Sequence, residues 1–500
     1  MNQTICPHDD AWSISRRDWI RGAAALAAAG MAPVRGQNAA IHVYSGTYTG
    51  RGRGIYHYTM DAATGKLTLV NVAQGEMNPS FLALDPQRRF LYAVNEIGNY
   101  QGRLSGSVAA FAINPADGEL TFLNRQPSEG RTTAHISVDP TNRFVMVANY
   151  TGGAGGGNVC ILPINRDGSL GDPSQVVDHL GEPGPNRGPQ TQARAHMILP
   201  DAAGRFVLAN DLGLDKTFIY ALDREAGKLV AAEPPFAVLA PGAGPRHLAF
   251  HPNGRIVYVI NELNSTMTVF DYDAQSGAMA EKQTLSTLPD NWVGINSTAH
   301  VVVAPSGRFV YGSNRGHDSI AIFSVDSATS RLTLIGHQDT VGRTPRNFGL
   351  DPSGNWMYVG NQDTDNFVTF RVNPATGGLT NTGMFTAQAQ PVCFVFSPPQ
   401  PVGNSAKTGV TFWANPDIIY PPDAIPLGET TLAWNAPDAS ELEIRVGAPN
   451  GPSMGSQAKY GTTRTGRWVR EGMTFFLQDV SGGKPLTADN TLATVRLAVR

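Results

Sequence analysis

One hairpin, written repeatedly, limits what this chain can fold into. Its clearest copy is Gly244–Asn264, GPRHLAFHPNGRIVYVINELN: an apolar run, the turn His251-Pro-Asn-Gly254, and a second apolar run ending in Asn261-Glu262. Alternating apolar residues on both sides of a Pro/Asn-Gly turn specify a β-hairpin. Relatives start at Phe81 (FLALDPQRRFLYAVNE), His135 (HISVDPTNRFVMVANY), His196 (HMILPDAAGRFVLAND), His300 (HVVVAPSGRFVYGSNR) and Asn347 (NFGLDPSGNWMYVGNQ). The turn position of Arg255 is held by Arg89, Arg143, Arg205, Arg308 and Asn355. The copies recur roughly every 50–60 residues, the length of a four-stranded propeller blade.

Two more strand-like runs follow each hairpin, such as SIAIFSVD and RLTLIGH after Arg315, giving six complete units from about Asn78 to Phe385. The ends supply a seventh. His42–Val72 reads as second, third and fourth strands without a first, and Pro391–Pro398 reads as a first strand alone. Joining them closes a ring and removes the last open edge. The expectation is an all-β chain with a seven-bladed propeller over residues 39–400, for which 54 Gly and 35 Pro supply the turns. Five hundred residues exceed one ordinary core. After a linker at Pro398–Lys407, residues 408–500 carry evenly spaced strand runs (VTFWA, TTLAWN, LEIRVGA, GRWVR, TFFLQDV, LATVRLAV) and read as a small immunoglobulin- or fibronectin-like β-sandwich.

Formal net charge is −3, with no basic block beyond the N-terminus, so nucleic acid is not an expected partner. Residues 1–38 read as a targeting segment. Ser15-Arg16-Arg17-Asp18-Trp19-Ile20 followed by the Ala-rich run Gly22–Met31 resembles a twin-arginine export signal. That run is too short to span a bilayer, so the reading is a bacterial periplasmic or extracellular protein without membrane insertion. Cys160 and Cys393 lie in apolar strand runs and read as small buried hydrophobes. Gly451-Pro-Ser453-Met-Gly455 matches a nucleophile pattern but reads as a turn, and Gly152–Gly157 as a strand connection. No cluster has metal-ligand spacing.

In a propeller the starts of first strands and the ends of second strands meet on one face. That rim collects His135, Arg194, His196, Arg246, His247 and His300 from first strands, and Glu96, Tyr150, Asp211, Glu262 and Arg315 from second strands. The other face receives the Asp-Pro turns and their repeated arginines, which read as ties between blades. Histidines recurring at one place in four blades serve equally well as packing devices. Arg246, Glu262 and Arg315 each occur once, and a variable position on a repeated scaffold is where function is grafted.

The motifs GPRHLAFHPNGR, AHVVVAPSGRFVYGSNRGHDS, ANDLGLDK and ANYTGG together resemble the bacterial 6-phosphogluconolactonase/carboxymuconate-lactonising family of seven-bladed propellers, over about Ile41 to Pro398. The resemblance implies catalytic roles for His196, Arg246, Glu262 and Arg315. Arg194, His247, His300, Asp211, Glu96 and His135 are the expected substrate-binding residues. Those types suit lactone opening: a base (His196 or Glu262) activates water, arginines receive the oxyanion, and no cofactor or metal is needed. The expected partner is a small lactone. An exported chain points to a non-phosphorylated sugar lactone, because phosphorylated sugars are cytoplasmic metabolites. Rival readings are a cycloisomerase using the same residues and a non-catalytic propeller that binds a glycan or protein. From position alone, Arg246 and Glu262 are expected to be removable without loss of stability.

Overall fold

The structure, a computed structural model, describes residues 40–399, 404–419, 421 and 425–499. The expected export signal lies outside the described residues. From Ile41–Thr47 to Pro391–Ser397 the strands form seven antiparallel sheets of four. The alternation in the hairpins dictates the pairing: apolar residues of each strand face the neighbouring blades on both sides. Seven apolar clusters result, one between each pair of neighbours. Tyr92, Val94, Val145 and Val147 join blades 2 and 3, for example, and Tyr58, Tyr358 and Phe367 join blades 7 and 1.

Closure takes the expected form. Pro391–Ser397 is the innermost strand of blade 1 and pairs with Ile41–Thr47, Tyr44 opposite Val395. The other innermost strands are Leu82–Leu84, Arg131–Val138, Ala195–Pro200, Pro245–Phe250, Ser297–Val303 and Pro345–Leu350, for blades 2 to 7.

The ties between blades differ in part from the expectation. Tyrosines do much of the work: Tyr44, Tyr92, Tyr311 and Tyr358 donate their hydroxyls to the carbonyls of Gly118, Gly168, Gly377 and Gly65 in the next blade, at 2.7–3.0 Å. Each such bond is worth about 1 kcal/mol net. Of the turn arginines, Arg205 and Arg308 do reach the next blade, at the carbonyls of Ala274 and Pro374. Arg143 instead lies 4.3 Å over the ring of Tyr460 in the C-terminal region.

That region holds a five-stranded and a three-stranded sheet around one apolar core, with Phe412, Leu432 and Trp434 of one sheet against Ile444, Phe475, Leu477 and Val495 of the other. It packs on the turn face of the ring. Arg88 pairs with Asp417 at 2.5 Å, Trp413 donates to Pro140 O at 2.6 Å, and Arg464 donates to Asn253 O at 2.9 Å. Ser453 of the nucleophile-like pattern begins an exposed edge strand, Ser453–Gln457, so the pattern is strand rather than turn. Among the described residues there is no α-helix, and no helix long and apolar enough to cross a membrane.

Candidate active site

Two local devices build the mouth on the face away from the C-terminal sheets. The first is an asparagine near the end of the second strand in six blades (Asn95, Asn149, Asn210, Asn261, Asn314 and Asn361), all buried. Asn95, Asn149, Asn314 and Asn361 donate their amides to the backbone carbonyls of Met77, Ser128, Thr287 and Thr340, clipping the incoming loop to the strand end. The residue after it is Glu96, Tyr150, Asp211, Glu262, Arg315 or Gln362, and Tyr48 holds the same place in blade 1.

The second device is a β-bulge near the start of the innermost strand. Register slips between Pro245 and His247, between Pro345 and Asn347, and between Ala195 and Met197. The residue left unpaired is Arg246, Arg346 or His196. A bulge of this kind re-aims one side chain out of the strand's alternation. His196 therefore does not share a place with the other three histidines, as the repeat pattern implied. It shares one with Arg246 and Arg346, while His135 and His247 occupy the next position.

The charged side chains converge. Glu262 Oε2 lies 2.8 Å from Arg246 Nε and 3.0 Å from Arg315 Nη2. Arg315 is pinned from behind by donation to Thr298 O at 2.7 Å, and Arg246 by donation to Ala299 O. Burial alone would raise the Glu262 carboxyl, but Arg315, Arg246 and Arg346 together hold it below the usual range. Arg246 is pulled down to about 9, first by burial and then by Arg315 and Arg346, with Glu262 opposing. Among the described residues no donor reaches Glu262 Oε1. Arg346, which the sequence reading missed, donates to Tyr48 OH at 2.7 Å and lies 5.2 Å over the same ring. Tyr48 in turn donates to Glu96 Oε2 at 2.8 Å. Its hydroxyl is raised to about 12, burial and Glu96 outweighing Arg346 and Arg246.

His196 is 6% exposed and its imidazole is pushed well below its ordinary range by burial, then by Arg246 and Arg346. It is a neutral ring near pH 7. Arg194 sits at the rim, 5.0 Å over the ring of Tyr150. The mouth narrows to a cavity of about 10 Å³, room for about one water molecule, lined by Ser80, Phe81, Glu96, Ala134, Arg246 and Arg346 among others. A larger groove of about 670 Å³ runs beside Arg103, Arg125 and Gln175. Its arginines are matched one to one by Glu129 and Glu76, so the unmatched positive charge is at the mouth.

Three expected substrate residues lie deeper than expected. His135, His247 and His300 pack edge to face beside Arg246: ring centroids are 5.7 Å apart for His135–His247 and 5.0 Å for His247–His300, and Nδ1 of His247 lies 2.7 Å from Nδ1 of His300. His247 also lines the mouth cavity, but its ring is 2% exposed and already occupied by these neighbours. Asp211 is a correction. It is fully buried, accepts from His179 Nδ1 at 2.8 Å, and takes the backbone amides of Arg194, Gly213 and Leu214 at 2.8–3.0 Å. With both oxygens committed it shapes the loop rather than meeting a ligand.

Comparison with known proteins places the ring. A family model described as lactonase, 7-bladed β-propeller, matches residues 42–396. The 6-phosphogluconolactonase of Bacillus subtilis (strain 168) is 36% identical over 309 residues, 62% of this chain and 84% of its own length. The 6-phosphogluconolactonase of Formosa agariphila is 32% identical over 315 residues, again 62% of this chain and 86% of its own. Among solved structures, the periplasmic gluconolactonase of Pseudomonas aeruginosa is 31% identical with a TM-score of 0.68, covering 72% of this chain and 100% of that one.

Proposed function

The chain belongs to the lactonase family of seven-bladed β-propellers, and from that premise we propose that its mouth hydrolyses a sugar-type lactone. The observation that carries the reading is the Glu262 carboxylate between Arg246 and Arg315, with His196 and Arg346 beside it. Water attacks the lactone carbonyl carbon, and Glu262 takes its proton on Oε1. His196, neutral and without an acidic partner, orients the water through a ring nitrogen. Negative charge on the carbonyl oxygen is met by the N–H groups of Arg246 and Arg315. Glu262 then returns the proton to the ring oxygen as the C–O bond breaks. A positioned base is worth about 10²–10⁴-fold and a good oxyanion donor about 3–4 kcal/mol.

We read the substrate as a non-phosphorylated lactone met outside the cytoplasm, with residues 1–38 as the export signal. Similarity to a periplasmic gluconolactonase supports this reading. Residues 408–500 we read as an immunoglobulin- or fibronectin-like sandwich, supported by two sheets sharing one core. It packs on the turn face and leaves the mouth open.

The test is a screen of mature protein against aldonolactones and muconolactones with a pH indicator. Turnover of an aldonolactone is expected. Turnover of muconolactones alone would move the assignment to the cycloisomerase, and turnover of neither would leave a binding propeller. Lysine at both Arg16 and Arg17 is expected to retain the chain in the cytoplasm, and unchanged periplasmic recovery would remove the export reading.

A further inference from the structure

Two tyrosines hold the place that Glu262 holds in blade 5: Tyr48 in blade 1 and Tyr150 in blade 3. The hydroxyl of Tyr48 is committed on both sides, accepting from Arg346 at 2.7 Å and donating to Glu96 at 2.8 Å. Tyr150 differs. Its ring is gripped from two directions: the Arg194 guanidinium lies 5.0 Å over its face, and the His196 ring meets it edge to face with centroids 5.6 Å apart. Arg194 is itself anchored by donation from Nε to Pro189 O at 3.3 Å. Tyr150 is partly exposed, and among the described residues its hydroxyl makes no hydrogen bond. A phenol with a fixed ring and an uncommitted O–H is placed to donate to a ligand.

Its neighbours favour one role. In ring order Tyr150, Asp211 and Glu262 follow one another on blades 3, 4 and 5. Asp211 is turned into its own loop, so the bulged His196 is what blade 4 presents between the other two. Burial raises the Tyr150 hydroxyl above its ordinary range, and Glu262 is the charge that raises it most, with Arg194 and Arg246 opposing. The phenol therefore keeps its proton at neutral pH, within the field of the carboxylate that receives the proton of water. Lactone opening has a use for such a donor. Arg246 and Arg315 face the carbonyl oxygen, whereas the ring oxygen departs as an alkoxide, a stronger base than phenolate. Its departure is slow unless a proton reaches it as the C–O bond breaks.

We propose that Tyr150 is a further catalytic residue, which donates to the ring oxygen of the lactone and passes to it the proton that Glu262 took from water. The proposal rests on the lactonase reading. Once water has added and Glu262 holds its proton, the C–O bond breaks and the electron pair stays on the ring oxygen. The phenolic proton of Tyr150 moves to that oxygen and forms the product hydroxyl. The proton on Glu262 then moves to the phenolate oxygen, which restores a phenol and a carboxylate.

The experiment measures Tyr150→Phe with two lactones that differ in leaving group, each corrected for spontaneous opening. Gluconolactone releases an alkoxide, whereas dihydrocoumarin releases a phenoxide, which leaves without being protonated. With gluconolactone kcat is expected to fall about 10²-fold while KM stays within about threefold. With dihydrocoumarin kcat is expected to stay within about threefold of wild type. Phenylalanine keeps the ring between Arg194 and His196 and removes no hydrogen bond within the protein, so the melting temperature is expected to be unchanged. Equal losses on both lactones, or no loss on gluconolactone, would overturn the proposal. A variant that does not fold would show the hydroxyl to be structural and would overturn it as well. If wild type opens no gluconolactone, the sugar-lactonase reading itself has failed. Should wild type refuse dihydrocoumarin alone, gluconolactone decides: a kcat loss at unchanged KM and melting temperature supports the donor, and a loss confined to KM overturns it.

Discussion

Glu262 is the counter-charge for Arg246 and Arg315, so removing its charge tests site and fold together. Its side chain is 21% exposed, that of Arg246 3% and that of Arg315 13%, so the pairs are largely shielded from water. At an effective dielectric of about 20 a pair of charges about 4 Å apart is worth about 4 kcal/mol. Two pairs give about 8 kcal/mol, from which the carboxylate's desolvation of several kcal/mol is subtracted. Partial exposure lowers the remainder again, and Glu262→Gln is expected to lose about 2–4 kcal/mol of stability in urea unfolding at pH 7.5. Arg246, already down to about 9, has its opposing carboxylate removed and falls further. Lactone turnover is expected to fall about 10²–10⁴-fold through loss of the base. A double variant Glu262→Gln/Arg246→Met discriminates the cause, because it removes the stranded cation. Its stability loss is expected to be smaller than the sum of the two single losses by about 1 kcal/mol or more. Stability within about 0.5 kcal/mol of wild type for Glu262→Gln, or strictly additive losses, would refute the electrostatic argument. The expectation from position alone, that this residue could be removed without cost, does not survive the burial of its partners.

Other consequences are open to measurement. Because His196 is already neutral and Glu262 already ionised, kcat/KM corrected for spontaneous hydrolysis is expected to be flat from about pH 5.5 to 8, with its acid limb below the ordinary carboxylate range; a limb near 6.5 would give the base role to an unperturbed histidine. His135 and His300 are each lowered to about 3 by burial, with cationic neighbours adding to it. As pH falls below about 6.5 the unfolded chain therefore takes up protons that the folded ring refuses, and stability drops by about 1.4 kcal/mol per pH unit for each such group. His135→Phe is expected to remove one such increment between pH 6 and 4 in urea titrations, and an unchanged slope would show the ring to be charged in the fold. Arg143→Ala, which loses the contact with Tyr460, is expected to cost about 0.5–1 kcal/mol, to speed limited proteolysis of the C-terminal sheets, and to leave kcat/KM unchanged.

The ring was legible because its signal repeats: six hairpins with one turn chemistry, and two chain ends that complete a seventh sheet. The mouth was legible as a direction, since strand topology alone puts Arg246, Glu262 and Arg315 on one face. What the sequence concealed was register. A bulge adds one residue without changing composition, so aligning His196 with His247 looked natural although His196 is opposite no partner residue. Arg346 was recoverable, because Pro345-Arg346 repeats Pro245-Arg246 at the start of an innermost strand. Tyr48 follows the second strand of a blade whose first strand lies some 340 residues away, so it was never compared with Glu96 or Glu262. Asp211 misled because its partner His179 arrives from the preceding blade's outer strand end, a contact that no local spacing announces.

The bulge also explains how one repeated scaffold makes room for a ligand at its axis. Around the ring the corresponding place is held by Val392, Ser80, Ala134, His196, Arg246, Ala299 and Arg346. Four of the seven are apolar or small, and three of these, Val392, Ser80 and Ala134 on consecutive blades, line the cavity opposite the large polar members. Were all seven large, the re-aimed side chains would fill the axis. Were all small, nothing would reach it, because the next position in the strands is packed: Phe81, His135, His247 and His300 meet ring to ring there, and Cys393, Met197 and Asn347 are buried. A ring of seven near-identical sheets therefore acquires a lopsided mouth, with arginines and an imidazole on one arc and space on the other. On the proposed lactonase reading that asymmetry would turn a lactone carbonyl toward Arg246 and Glu262, and it is written in single residues at a position that every blade possesses.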